Sequence, residues 1–354
     1  MNIINTNFQV ETTTISSLLK DFYVPELEGL IGIECFNRIA KFTQRFPENL
    51  SPFFGYEIQL GNKNNQADFL FCISDPAEFR NYVDSEKSGL TEKSFDTETI
   101  NGFDNFSGYW ISKYGQSENQ INNIWFEFDY NEIEKERPKA CFFFGPKLNV
   151  NQLEVLLLTE RVFSEIFNKK VEANTLKKLL EIYQVLEKET FISQIGMMNS
   201  RNDENLRLFI QSKKENWIIP FLQKLNYAHL NNPEFIAIIE ACNQIAANVD
   251  LDIDISTKLG DNIGLECYFN TAKKALSFLD YLEQNKLAVS EKYTLLKNYI
   301  ISLAPDKTKS YQAFFSHFKI VFKPGLGFNS KAYFGYTTTK LAPELIRTKP
   351  FKID

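Results

Sequence analysis

Five pairs of short segments with alternating apolar and polar residues recur along this chain, and this recurrence restricts its fold. The stretch 249–255 (VDLDIDI) is typical. Such a period-2 pattern predicts a strand with two unlike faces. Turn-forming residues join the two strands in four of the pairs, at 61–62, 202–203, 260–261 and 324–327. The predicted pairs are 54–60 with 67–73, 123–130 with 139–144, 193–199 with 206–211, 249–256 with 263–269, and 317–323 with 331–336.

Helical patterns fill the intervals between strand pairs, mostly in twos. Asn232 and Ser290 are predicted N-caps, and Pro233 is predicted at a first helical position. The segments 1–50 and 75–120 are predicted as helix and loop. The repeated order helix, strand, strand, helix predicts an α+β fold, an antiparallel ten-stranded barrel with paired helices outside. An open sheet with helices on one face is the alternative. The predicted helices span 150–168, 174–188, 213–225, 233–247, 270–285 and 290–303.

Composition predicts one domain. The chain has 354 residues, of which 44% are hydrophobic, and no linker-like tract divides it. We expect a helical and loop segment at 1–50, the barrel at 51–340 and a C-terminal tail at 341–354. The net charge of −6 argues against a nucleic-acid partner. No apolar run is long enough to span a membrane, and the N-terminus lacks signal-peptide features. The five scattered cysteines indicate reduced thiols in a cytoplasmic protein.

Strand phase assigns each residue to one face of the barrel. If the apolar residues of each strand pack under the helices, the residues that alternate with them face the lumen. Four second strands then place a charged residue and, two positions later, a mostly aromatic one on that face: Lys139 and Cys141, Arg207 and Phe209, Glu266 and Tyr268, Lys331 and Tyr333. A solvent-exposed sheet face is the alternative. The other residues predicted in the lumen are Glu57, Gln59, Asp68, Trp125, Glu127, Asp129, Asp250, Asp252, Asp254, His317 and Lys319.

Two of these segments resemble the aromatic prenyltransferases of the ABBA barrel, in particular the dimethylallyltryptophan synthase branch. The stretch 128–130 (FDY) followed by 139–146 (KACFFFGP) is similar to that family's aspartate-bearing strand and its Lys-x-Tyr-x-x-x-Pro motif. The stretch 56–62 (YEIQLGN) is similar to the strand that carries the catalytic glutamate. The resemblance implies transfer of an isoprenoid from an allylic diphosphate to an aromatic or other nucleophilic acceptor, such as an indole, an amino acid or a peptide side chain.

The resemblance also implies roles for individual residues. Glu57 would be the catalytic base. The diphosphate would be held by Lys139, Arg207, Lys319, Lys331, Tyr268 and Tyr333. Residues of the lumen and acceptor site would be Trp125, Glu127, Asp129, Phe209, Asp252, Glu266 and His317.

The predicted lumen departs from the family pattern in its charge. Glu266 stands where the family has a lysine, and eight carboxylates (57, 68, 127, 129, 250, 252, 254, 266) face four cations (139, 207, 319, 331). A diphosphate needs a positive field. Either no cofactor is required or Mg²⁺ bridges carboxylates and diphosphate. The acids could instead bind a cationic acceptor, or the chain could have left diphosphate chemistry.

The alternative function is therefore a non-prenylating barrel, a binding protein or peptide-modification factor whose acidic lumen holds a cationic ligand or peptide. For Glu57, burial and like charges predict a raised pKa. A solvated strand residue, or a partner for a lumen lysine, is the alternative interpretation of Glu57.

Overall fold

Ten antiparallel strands close into a barrel in this computed structural model, which describes residues 13–21, 23–89, 94–113, 120–148, 150–201, 204–303 and 311–338. Each strand pairs with its neighbours in sequence, and β10 pairs with β1 to close the ring. The predicted barrel is confirmed, and the alternative prediction of an open sheet is wrong. The strands are β1 (Phe53–Gln59), β2 (Ala67–Ile73), β3 (Ile121–Phe128), β4 (Cys141–Pro146), β5 (Thr190–Met197), β6 (Leu206–Ser212), β7 (Asn248–Ile255), β8 (Leu259–Tyr268), β9 (Tyr311–Lys323) and β10 (Gly327–Thr338).

Helices precede β1 and connect the strand pairs, as the repeat predicts. One short helix, α6, lies within the β3–β4 connection, for which the sequence predicts no helix. Short 3₁₀ turns occupy Thr43–Arg45, Glu48–Leu50 and Asn199–Arg201. The helices are α1 (Ile15–Asp21), α2 (Pro25–Ile31), α3 (Ile33–Phe42), α4 (Pro76–Ser88), α5 (Thr97–Lys113), α6 (Tyr130–Ile133), α7 (Gln152–Phe167), α8 (Ala173–Val185), α9 (Ile218–Lys224), α10 (Pro233–Ile245), α11 (Ala272–Gln284) and α12 (Ser290–Ser302).

One of the two predicted N-caps is confirmed. The side chain of Asn232 accepts a hydrogen bond from the backbone N–H of Phe235 at 3.0 Å, with Pro233 at the first helical position. Ser290 is not a cap, because extended backbone at Val289 starts α12 one residue earlier. The Ser290 hydroxyl instead bonds to Glu283 at 2.9 Å.

The apolar strand face packs under the helices, as strand phase predicts. Leu208 of β6 and Leu265 of β8 are buried in one continuous cluster with helix residues such as Leu179 and Leu279. This burial removes large aliphatic side chains from water and supplies the main driving force for closure. All five cysteines are buried and free, as expected. Within the described ranges, no helix combines the length and the apolar character needed to cross a bilayer.

Of the strand boundaries that differ from the predicted ones, two affect the lumen. β4 begins at Cys141, so Lys139 lies before the strand. β9 begins at Tyr311, six positions before the predicted start at His317, because a bulge interrupts the alternation. The predicted turn at 202–203 and the tail at 341–354 lie outside the described residues.

Candidate functional site

The lumen of the barrel is polarised along its axis. Its apolar end is formed by Phe53, Cys72 and Phe314, packed against Leu70 and Trp125. The charged end contains cations on β6, β9 and β10, close to the tight turns that join β7 to β8 and β9 to β10. A cavity of about 200 Å³ reaches from the aromatic wall to these cations.

A second cavity, of about 470 Å³, lies at the charged end and shares three basic residues with the first. The shared residues are Arg207, Lys319 and Lys331. Five basic and four acidic side chains line this second cavity, which we call the charged cavity. Its basic residues are Arg201, Arg207, Lys319, Lys323 and Lys331, and its acidic residues are Asp68, Asp129, Asp252 and Asp254.

Glu57 is held by two residues of the neighbouring strand. In the seam between β1 and β10, Tyr333 lies directly opposite Glu57, and Lys331 lies two residues away on the same face. The Lys331 ammonium donates to Oε1 and the Tyr333 hydroxyl donates to Oε2. Burial raises the pKa of Glu57, but Lys331, Lys319 and the tyrosine outweigh burial and lower it below its usual range. The expected raised pKa is wrong, because Glu57 is paired with a lumen lysine. Its role as catalytic base stays a prediction.

Lys319 and Arg207 each contact carboxylates on other strands of the barrel. Lys319 pairs with Asp252, and its Nζ lies 3.4 Å from Glu266 Oε1. Arg207 makes a bidentate pair with Asp254 at 2.8 and 2.9 Å. Burial raises the pKa of Glu266 despite Lys319. For Asp252, burial is outweighed by Arg207 and Lys319, and its pKa is lowered.

Arg201 is a site residue that the sequence analysis missed. It lies on the 3₁₀ turn after β5, immediately before the turn predicted at 202–203. Its guanidinium contacts Asp129, and its Nη2 lies 2.8 Å from Glu127 Oε1. The neighbouring Ser200 hydroxyl lies 2.9 Å from the Cys141 thiol. The available signal was a basic residue in the turn that follows a predicted barrel strand.

Lys139 is not on the lumen wall, contrary to the prediction that it faces the lumen. Its side chain is exposed, and its backbone N–H donates to Glu132 Oε2 at 3.0 Å. Arg201 and Lys323 take its place among the lumen cations. Lys323 is half-buried at the end of β9, and within the described part of the chain no carboxylate lies in ion-pair distance of it. The excess of acids over cations is therefore smaller than predicted.

Three aromatic rings form a stack beside Glu57. The imidazole of His317 lies on the Tyr333 ring with centroids 4.2 Å apart and an interplanar angle of 11°. Tyr268 lies on its other side at 4.6 Å. Burial and the charge of Lys319 lower the pKa of His317 to about 3, so the imidazole is neutral at physiological pH. Tyr268 donates to Glu266 Oε2 at 2.9 Å.

Oxygens of Glu57, Asp68 and Glu127 lie within 4.8 Å of one another, a spacing that a divalent cation could bridge. Burial, Glu57 and Glu127 raise the pKa of Asp68. Burial and Glu57 also raise that of Glu127. Because Lys331 and Tyr333 occupy both oxygens of Glu57, only Asp68 and Glu127 fit as metal ligands without rearrangement.

The predicted lumen residues otherwise come together. Trp125, Glu127, Phe209, Glu266, Tyr268, His317 and Tyr333 line the first cavity, and Asp129 and Asp252 line the charged cavity. The Lys319 ammonium lies 5.2 Å from the centroid of the Phe209 ring, where the two cavities meet.

Comparison with solved structures shows which fold this is. AnaPT of Neosartorya fischeri aligns over 90% of this chain and 93% of its own, with TM-score 0.50 and 14% identity. The apo form of the prenyltransferase PriB covers 96% of this chain and 98% of its own, with TM-score 0.54 and 9% identity. The chain has the ABBA prenyltransferase fold.

A further structure with the ABBA prenyltransferase fold is a 5-dimethylallyl tryptophan synthase of Streptomyces coelicolor, in complex with DMASPP and Trp. It covers 97% of this chain and 99% of its own, with TM-score 0.51 and 9% identity. In sequence, the chain matches neither a protein-family profile nor a curated protein. The fold is thus shared with these enzymes at an identity that fixes no substrate.

Proposed function

We propose that this protein is a prenyltransferase that moves an isoprenoid from an allylic diphosphate to an aromatic or other nucleophilic acceptor. The observation that carries the proposal is the charged cavity, where basic side chains outnumber acidic ones next to an aromatic chamber. A diphosphate fits the charged cavity, and an allylic chain fits the aromatic chamber. The shared fold supports the same function.

The cations of the charged cavity would hold the diphosphate as it departs. Lys323 would contact it directly, whereas Lys331 and Lys319 would exchange a carboxylate for it. The phosphate oxygens take the place of the carboxylate oxygens, so these cations keep a charge-assisted partner. Trp125 and Phe209 line the chamber beyond and would shield an allylic cation from water by cation–π contact.

Magnesium is a second part of the proposal. Asp68 and Glu127 would hold Mg²⁺, which would offset their mutual repulsion and add positive charge beside the diphosphate. We expect the affinity for an allylic diphosphate to be higher with Mg²⁺ than with EDTA. Equal affinity under both conditions would remove the metal from the proposal and leave the five basic residues of the charged cavity as the whole binding site.

Calorimetry with dimethylallyl thiolodiphosphate, an unreactive analogue, tests the proposed site. Lys323→Ala, Lys331→Ala and Arg207→Ala should each weaken binding by about 1–3 kcal/mol, the value of a charge-assisted contact. Lys258→Ala is the matched control, because that side chain is 75% exposed on the β7–β8 turn. Lys139→Ala should resemble the control, since Lys139 is exposed. Equal losses in all five variants would mean that binding does not occur in the charged cavity.

A cationic ligand is the second candidate, favoured by the carboxylates around the first cavity. Glu266 and Glu127 line it, and the structure gives both a raised pKa, the sign of poorly compensated acids. Binding of an arginine-bearing peptide by the wild type, together with no binding of the thiolodiphosphate, would favour this candidate. The reverse result would favour prenyl transfer.

A further inference from the structure

A β-bulge in β9 places two consecutive side chains in the lumen. The register between β9 and β10 shifts at Tyr333 and Phe334, which oppose His317 and Phe315 and leave Ser316 as the extra residue. In a regular strand Ser316 would point away from the lumen, but both Ser316 and His317 line the first cavity. Bulges of this kind redirect side chains and are frequent beside active sites.

His317 is fixed on three sides and unpaired at one atom. Tyr333 and Tyr268 sandwich the ring, and the Ser316 hydroxyl lies 2.9 Å from Nδ1. Nε2 is buried and has no hydrogen-bond partner among the described residues. The nearest carboxylate oxygen, Glu266 Oε2, is 3.9 Å away and accepts from Tyr268. A buried polar atom without a partner costs free energy unless a ligand supplies the missing hydrogen bond.

Glu57, the base that the family resemblance implies, differs from His317 because its polar atoms are paired. Both of its oxygens already accept hydrogen bonds, one from Lys331 and one from Tyr333. These contacts stabilise the carboxylate, so a proton taken up there would have to break them. Glu57 is well placed to orient Lys331 and Tyr333, whereas His317 lines the first cavity with a buried Nε2 that has no hydrogen-bond partner among the described residues.

We propose that Nε2 of His317 accepts the proton that the acceptor loses when it is prenylated. The inference rests on the proposed function. The bond between the allylic carbon and the diphosphate oxygen breaks, and its electron pair leaves with the diphosphate. A bond then forms between the acceptor nucleophile and the allylic carbon. The proton released by the acceptor moves to the lone pair of Nε2, and the negative charges of Glu57 and Glu266 favour the resulting imidazolium. Nδ1–H donates to the Ser316 hydroxyl throughout and fixes the tautomer.

The tautomer of His317 can be measured without substrate. The chain contains only two histidines, His229 and His317, so a His229→Gln variant assigns both in ¹⁵N-labelled protein. The proposal requires a neutral ring at neutral pH with the proton on Nδ1 and a bare Nε2. Long-range ¹H–¹⁵N spectra that place the proton on Nε2, or show a charged ring, would overturn it. This result does not depend on whether an allylic diphosphate binds.

Kinetics provide the second test, with dimethylallyl diphosphate as donor and L-tryptophan, indole and L-tyrosine as acceptors. His317→Ala should lower turnover by roughly 10²–10⁴-fold, the usual contribution of a general base. Free imidazole should restore part of the activity, because the truncation leaves space between the two tyrosines. The affinity for the thiolodiphosphate should stay near that of the wild type.

The outcomes separate this proposal from the proposed function. Loss of turnover without rescue by imidazole would indicate a packing role for His317 and contradict proton transfer. A larger loss in Glu57→Gln than in His317→Ala would return the base to Glu57. Failure of the wild type to bind the thiolodiphosphate would remove the prenyltransferase assignment, whatever the tautomer of His317. His229→Gln, in the loop before α10, is the control and should keep full activity.

Discussion

The substitution Glu57→Gln isolates the charge that holds Lys331. Glutamine keeps the size of the side chain, but its amide cannot balance the ammonium. Lys331 has a side chain that is only 15% exposed, so the free protein would retain a poorly solvated cation. Removal of one partner from a buried ion pair costs about 3–5 kcal/mol. Because Lys331 borders a cavity that water can enter, we expect the lower end of that range, about 3 kcal/mol.

The same substitution should strengthen diphosphate binding. In the wild type, the diphosphate must displace Glu57 from Lys331, whereas in Glu57→Gln the cation is already available. A hydrogen bond to a charged group contributes about 1.5–3 kcal/mol, so the dissociation constant should fall by roughly 10–100-fold. The ligand should therefore recover much of the stability that the variant loses, since binding to the native state adds to its free energy of unfolding.

Urea denaturation followed by circular dichroism, with and without dimethylallyl thiolodiphosphate, measures both effects. The matched control is Glu187→Gln, which removes a surface carboxylate between Lys214 and Lys224 and should change the stability little, because exposed ion pairs contribute little. Equal destabilisation in the two variants would contradict the buried pair. Weaker binding of the analogue by Glu57→Gln than by the wild type would refute the displacement of Glu57 by diphosphate.

Three further substitutions test other parts of the structure. Asp68 has a raised pKa, so it binds a proton more tightly in the folded protein than in the unfolded chain. The free energy of unfolding should therefore fall as pH rises from about 5 to about 8. Asp68→Asn should reduce that fall in urea titrations at the two pH values. Lys292→Met removes donors to the carbonyls of Gln59 and Asn64, at 2.7 and 2.6 Å, and should lower the free energy of unfolding by about 2–4 kcal/mol; an unchanged value would mean that water replaces the ammonium. Gly335→Ala places a Cβ against the backbone of β1 and should lower the melting temperature by opening the seam that closes the barrel, whereas an unchanged melting temperature would show that the seam can move apart.

The strands and their faces could be predicted because alternation follows directly from a barrel wall with one helix-covered face. Leu208 and Leu265 occur in phase with that burial, and both lie in the core under the helices. Local patterns could not place residues outside regular strands. The alternation extends two residues beyond the start of β4 and so places Lys139 on the strand, whereas it does not reach Arg201, which lies on a 3₁₀ turn.

The electrostatics of the site depended on contacts between residues distant in sequence. Glu57 and Lys331 are 274 residues apart and meet only because β1 pairs with β10. Without that register, burial and like charges suggested a raised pKa, whereas the paired lysine lowers it. The bulge at Ser316 shifts the alternation by one residue, so the residues before it are out of phase with the strand that follows and do not extend the predicted strand.

A crystal structure of the protein with dimethylallyl thiolodiphosphate and Mg²⁺ tests the central claim most directly. The account predicts that the diphosphate lies in the charged cavity on Lys319, Lys323 and Lys331, with the dimethylallyl group directed towards Trp125 and Phe209. It also predicts that Lys331 has moved away from Glu57. A lumen that stays free of the analogue at saturating concentration, or an analogue bound only to the outer surface of the barrel, would contradict it.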